Sequence, residues 1–144
     1  MAERTAERGA REAIQRFYAA ADQFIMGDAG PFKALWSQRD DVTAFGGWGG
    51  YEVGWDEVGG RWDWAAQQMS GGTVTRKNLA TVITAEMAYI TDVTSVRIRV
   101  DGSDRPEKTW QNRQTHIFRL EDGQWRLVHR HVSRLEPREV RERG

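Results

Sequence analysis

Residues 113–135, RQTHIFRLEDGQWRLVHRHVSRL, decide how this chain folds. Asp122-Gly123 suits the two central positions of a type I′ turn, which needs positive φ at both, so the flanking runs read as one β-hairpin. With that turn Glu121 pairs with Gln124. An uninterrupted ladder then sets Phe118 opposite Leu127, His116 opposite His129 and Gln114 opposite His131. Side chains alternate across a strand. One face is therefore expected to carry Asn112, Gln114, His116, Phe118, Trp125, Leu127, His129 and His131, and the other Arg113, Thr115, Ile117, Arg119, Arg126, Val128, Arg130 and Val132. All three histidines of the chain fall on the first face.

Upstream of the hairpin, Val74 to Thr84 and Glu86 to Val100 are two more β-rich runs, joined to it by a looser connection over Asp101–Pro106. Before them the periodicity is helical. Ile14, Phe17, Tyr18, Ala21, Phe24 and Ile25 recur at three- and four-residue spacing, and Gly27 marks a stop. Asp28 is placed to cap a short second helix with Pro31 in its first turn and Phe32, Leu35 and Trp36 on one face. Val42–Phe45 and Tyr51–Val53 read as brief strands. Trp55–Met69 has a helical stripe at Val58, Trp62, Ala65, Ala66 and Met69, ended by Gly71-Gly72. Helices first and antiparallel strands afterwards predict an α+β fold, with the helices on one face of a curled sheet. The 144 residues make a single domain with a core over about 10–134 and a charged tail, 136–144, that is expected to fray.

Composition excludes several functions. Basic and acidic residues balance at 21 each, which speaks against nucleic acid as a partner. Residues 1–96 carry a net −4 and residues 97–144 a net +4, too mild an asymmetry to imply a polyanion. With no cysteine there is no disulfide, thiol nucleophile or thiolate metal site. No apolar run reaches the length of a membrane span and the N-terminal residues are charged, so a cytoplasmic protein without a membrane partner is expected. The glycine segment GGWGGYEVGWDEVGG, residues 46–60, lacks the GxxxxGK[ST] pattern of a phosphate loop.

The histidine face admits three readings: hydrogen-bonded partners in a pocket wall, general acid–base groups, or a three-His zinc site. No carboxylate is placed by sequence to orient a metal-bound imidazole, and neither metal nor cofactor is expected.

The hairpin, with its DGxW and VHxH pattern, resembles the closing hairpin of SnoaL-like proteins in the nuclear transport factor 2 / ketosteroid isomerase superfamily. The first helix ending at Gly27-Asp28, the stretch FKALWSQRDDVTAFGG (32–47) and YEVGWDEV (51–58) agree with it. The resemblance implies a cone-shaped roll (cystatin-like, nuclear transport factor 2-like): a long N-terminal helix and two shorter helices packed in a curved antiparallel sheet around an apolar cavity. It also implies a homodimer. Members include isomerases, cyclases, dehydratases and non-catalytic assembly domains. The aspartate base of ketosteroid isomerases is missing, because the matching stretch is Phe45-Gly46-Gly47. The pocket arginines of the calmodulin-dependent kinase association domain fall on Thr91, His116 and Val132, so that anion pocket is not preserved.

The remaining candidates are His131 and His129 as proton carriers, with Asp92 as partner if its parity puts it inside the cone. A pocket wall of Tyr18, Trp36, Trp48, Trp62, Gln114, His116 and Phe118 is expected, with Trp48, Tyr51 and Trp55 capping the mouth. Such a pocket suits a small apolar or weakly polar ligand. The expected function is acid–base chemistry of an isomerase, cyclase or lyase type, or else ligand binding or assembly without catalysis.

Overall fold

The computed structural model describes residues 2–100 and 108–139. The expected connection over 101–106 and the last part of the charged tail lie outside them. Three helices, α1 (Ala2–Ile25), α2 (Gly30–Ala34) and α3 (Trp55–Gln67), accompany six strands: β1 (Thr43–Phe45), β2 (Glu52–Val53), β3 (Met69–Ile83), β4 (Met87–Val100), β5 (Lys108–Glu121) and β6 (Gln124–Arg134). The strands form one sheet in the order β2-β1-β6-β5-β4-β3. Every pairing is antiparallel except that of β1 with β6, which makes the sheet mixed.

The alanine-rich α1 keeps its small and apolar side chains on one stripe, and Ala13, Phe17, Ala20 and Phe24 are buried against the sheet. Phe17 packs tilted against the His116 ring of β5 at 4.2 Å and meets Phe118 edge-on at 6.1 Å, so the helix crosses the middle of the sheet. β4 alternates as a half-buried strand should: Ala88, Ile90, Asp92, Thr94, Val96 and Ile98 face inward and are buried, while Tyr89 faces out. Asp92 therefore lies on the inner side.

Two local expectations are corrected. Asp28 is not the N-cap of α2. Ala29 holds that position without a side-chain cap, and Asp28 Oδ1 accepts instead from the Gly30 amide at 3.0 Å. Gly71-Gly72 does not end α3, which stops at Gln67; the two glycines lie inside β3 at a bulge against β4. A Cβ on Gly72, whose φ is +152°, would lie 2.1 Å from the Arg97 carbonyl oxygen, so glycine permits the close approach of the two backbones.

The closing hairpin departs from its expected register. The turn is as read, with Asp122 at φ 51° and Gly123 at φ 80°, Glu121 opposite Gln124 and Phe118 opposite Leu127. The ladder then shifts by one: Ile117 pairs with His129, His116 with Arg130, Thr115 with His131 and Gln114 with Val132. Val128 is the extra residue of a β-bulge. It sits where β6 changes neighbours on its other side. Leu127 exchanges backbone hydrogen bonds with Leu35 and Ser37, whereas His129 to His131 pair with Thr43 to Phe45. One inserted residue reverses the facing of every later side chain. Both Leu127 and Val128 are buried, which a strict alternation forbids.

Candidate functional site

The bulge decides what faces the interior of the cone. His129 and His131 do not share a face with His116. They lie on the outer side of the sheet, where Phe45 of β1 meets their rings edge-on at 5.0 and 5.3 Å and Thr43 Oγ1 shares a hydrogen bond with His129 Nδ1 at 2.7 Å. Arg130, Val132 and Arg134 turn inward in their place. The expected histidine face is thus replaced by an arginine face. A three-His metal site is excluded by the same geometry, and among the described residues no group of three possible ligands assembles.

Inside the cone is a cavity of about 110 Å³. Its apolar wall comes from Phe24 and Ile25 of α1, Phe32 of α2, Trp62 and Ala65 of α3, and Val96 and Ile98 of β4. Gly46, Gly47, Trp48 and Gly49 close one side; Trp48, 40% exposed, stands edge-on to Trp64 at 5.4 Å and to Trp110 at 6.2 Å. Among the expected wall residues Trp48, Trp62 and Gln114 line this cavity, and Tyr18, Trp36, His116 and Phe118 do not. Trp36 and Phe118 are fully buried core, and His116 sits behind the wall. Tyr51, 72% exposed, and Trp55, packed under Gly59, stand away from the mouth.

The polar lining is cationic. Arg61, Arg76, Arg130 and Arg134 reach the cavity together with Thr94, Asn112 and Gln114, and among the described residues no aspartate or glutamate does. Arg61 donates to the buried Glu52 carboxylate at 2.6 Å and Arg76 to Asp22 at 2.8 Å. Among the described residues Arg130 has no carboxylate within ion-pair distance. It donates from Nη1 to His116 Nε2 at 2.8 Å and lies over the rings of Phe32 and Trp62 at 5.4 and 5.7 Å. Burial, with a smaller contribution from the Arg76 charge, pulls its guanidinium down to about 10. Arg134 donates to Asn112 Oδ1 at 2.9 Å and stacks on Trp110 at 4.2 Å. Sequence reasoning missed Arg130, Arg134 and Trp110, because all three depend on parity beyond the bulge or on the curvature of the sheet.

A second polar cluster lies beside the cavity. Asp92 Oδ1 accepts from the Tyr18 hydroxyl at 2.9 Å and from Asn78 Nδ2 at 3.0 Å, while its buried Oδ2 has no hydrogen-bond partner among the described residues. Burial first, then the bond to Asp92, pushes the Tyr18 phenol above its ordinary range, so it stays a protonated donor. Across β4 and β5, Asp92 is opposite Gln114, which lines the cavity and donates to Thr94 Oγ1 at 3.2 Å.

A six-stranded roll wrapped on a long helix, with an aromatic cavity between them, defines the nuclear transport factor 2-like class of folds. The SnoaL-like domain family matches residues 10–137, and the chain belongs to that family. Solved structures agree on the fold. A nuclear transport factor 2-like superfamily protein from Salmonella enterica superposes with a TM-score of 0.78 at 17% identity, covering 97% of this chain and 98% of its own. A ketosteroid isomerase-like protein from Erwinia carotovora gives 0.74 at 16% identity, covering 90% and 96%. A candidate dehydratase from Streptomyces avermitilis gives 0.75 at 17% identity, covering 92% and 99%. Identities this low establish shape and not chemistry. No curated protein matches the chain.

Proposed function

We propose that this SnoaL-like protein is a small-molecule pocket protein, taking one compact and largely apolar molecule into the cavity between α1, α3 and the sheet. The carrying observation is the cavity itself, about 110 Å³ walled by Phe24, Phe32, Trp62 and Trp110, several times the space one ordered water needs. Single-ring aromatic fragments screened by ligand-observed NMR test the proposal. Binders to the wild-type chain should lose affinity in Ala21→Leu, which fills the cavity from α1. A screen without binders, or binding indifferent to that substitution, would contradict it.

Acid–base chemistry on the bound molecule is a second reading, favoured by one observation: the Oδ2 of Asp92, unpartnered among the described residues, on the residue paired with Gln114 of the cavity wall. In this reading Asp92 carries the proton; His129 and His131, on the outer face, take no part. Exchange of the acidic C–H protons of phenylacetone into D2O, followed by NMR, should be faster with the wild-type chain than with Asp92→Asn. Equal rates would remove Asp92 from the reading.

The outer sheet face supports a homodimer. Register aligns Tyr89, Ile117, His129, Thr43 and Val53 in one row and Thr91, Thr115, His131 and Phe45 in the next, and Tyr89, Phe45 and Val53 are each exposed. Sedimentation equilibrium should report a dimer that Tyr89→Glu weakens. Among the described residues no helix is long and apolar enough to cross a membrane.

A further inference from the structure

The four cavity arginines are not equivalent. Arg61 and Arg76 are each matched by a carboxylate within the chain, at 2.6 and 2.8 Å. Among the described residues Arg130 and Arg134 donate only to neutral acceptors, His116 Nε2 and Asn112 Oδ1, one bond each, and of the two only Arg134 feels a carboxylate, that of Glu136. A guanidinium has five donors in a planar fork, so both keep uncommitted N–H groups. The indole N–H of Trp62, a residue 3% exposed in the same wall, has no acceptor either. For Arg130, a cation partly withdrawn from water without a counter-charge among the described residues is costly, and so is the buried Trp62 donor left unpaired. These costs fall together when an anion enters from the cavity.

We propose that the pocket is specific for an organic monocarboxylate, its apolar body against Phe32, Trp62 and Trp110 and its carboxylate on the free donors of Arg130. This rests on the pocket reading above and names the ligand class for that site. Planarity favours a carboxylate on the Arg130 fork. Inorganic phosphate lacks the body that would cover the aromatic wall. The neutral His116 imidazole acts as a positioning residue, accepting one N–H and so turning the rest of the fork away from itself. Balanced net charge gave no hint of this, because the sum over 42 charged residues says nothing about which of them line one cavity.

Isothermal titration of the full chain with phenylacetate, phenylacetamide and inorganic phosphate tests the proposal. Phenylacetate should bind at least about ten-fold more tightly than its uncharged amide, the discrimination expected of charge-assisted hydrogen bonds. Phosphate should be the weakest of the three. The preference for acid over amide should vanish in Arg130→Met and persist in part in Arg130→Lys, which keeps the charge and loses the fork; either variant, once shown folded by thermal unfolding, suffices. Amide binding as tight as acid binding would overturn the carboxylate assignment and leave the pocket standing. Phosphate binding as tight as phenylacetate would reduce the site to a simple anion hole. Failure of both aromatic probes would overturn this proposal and the pocket reading together.

Discussion

The Arg130 guanidinium donates to His116 Nε2 at 2.8 Å, and this bond permits only one protonation state of the ring. Arg130 has no lone pair to offer, so His116 must be the acceptor at Nε2 and carry its proton on Nδ1. Burial above all, then the Arg130 charge, holds its imidazolium well below the ordinary 6.5.

Acid should therefore destabilise the fold through His116. In the unfolded chain the ring titrates near 6.5, while in the native chain it stays neutral, so below that pH only the unfolded state gains the proton. The stabilising contribution is complete above 6.5 and shrinks as pH falls; His129, lowered by burial and by His131, adds in the same direction. Urea midpoints should drop between about pH 7.5 and about pH 5.5, and drop less in His116→Gln, which keeps an acceptor for Arg130. Identical pH slopes in the two proteins would contradict the assignment.

The same pair should cost the fold stability. Removing His116 alone, as His116→Phe, leaves the half-buried Arg130 guanidinium without its acceptor and should destabilise. Replacing both, as His116→Phe with Arg130→Met, removes a partly desolvated cation and lets the new ring pack on Phe17. That double variant should be about 1–4 kcal/mol more stable than wild type, by analogy with buried polar groups exchanged for apolar ones. Chemical denaturation checks it; a double variant less stable than the wild type would show that the pair serves packing.

Tyr18 and Asp92 are coupled across 74 residues of chain. Tyr18→Phe leaves the buried Asp92 with Asn78 as its remaining donor and should cost about 1–3 kcal/mol. In an Asp92→Leu background the same change should cost much less, and a double-mutant cycle measures the difference. Equal costs in both backgrounds would mean that the hydroxyl bond contributes nothing.

Two glycines with positive φ should respond differently to alanine. Gly123, at φ 80° with open space around its missing Cβ, bears only the backbone preference, about 1 kcal/mol. Gly72→Ala drives a methyl group to 2.1 Å from the Arg97 carbonyl and should cost about 3 kcal/mol or more, since the β3–β4 pairing must part. Thermal unfolding of the two variants compares them; similar losses would argue against the close approach at the bulge.

Features legible in the sequence were those set by local geometry. Asp122-Gly123 specifies its turn through φ alone, and the α1 stripe follows from helical spacing. The parity of β6 was not legible by the same logic. Its residues alternate acceptably in either register, since Leu127, His129 and His131 on one side and Val128, Arg130 and Val132 on the other both read as a half-polar face. The signal lay in Leu127-Val128, two adjacent apolar residues that break the alternation of a half-buried strand, and in the segment 35–37 that draws Leu127 to itself. Arg134 on Trp110 joins residues of two strands through their register, and Tyr18 on Asp92 joins a helix to the sheet. Neither pairing has any local cause a sequence would display.

The pocket reading is most directly tested by the tryptophan indole N–H resonances of 15N-labelled protein during titration with phenylacetate. Trp62 and Trp110 line the cavity, whereas Trp125 is buried elsewhere, against Gly9 of α1. The account predicts saturable shifts of the Trp62 and Trp110 signals with Trp125 unmoved. Unchanged cavity signals at saturating ligand, or a shift of Trp125 as large as theirs, would contradict it.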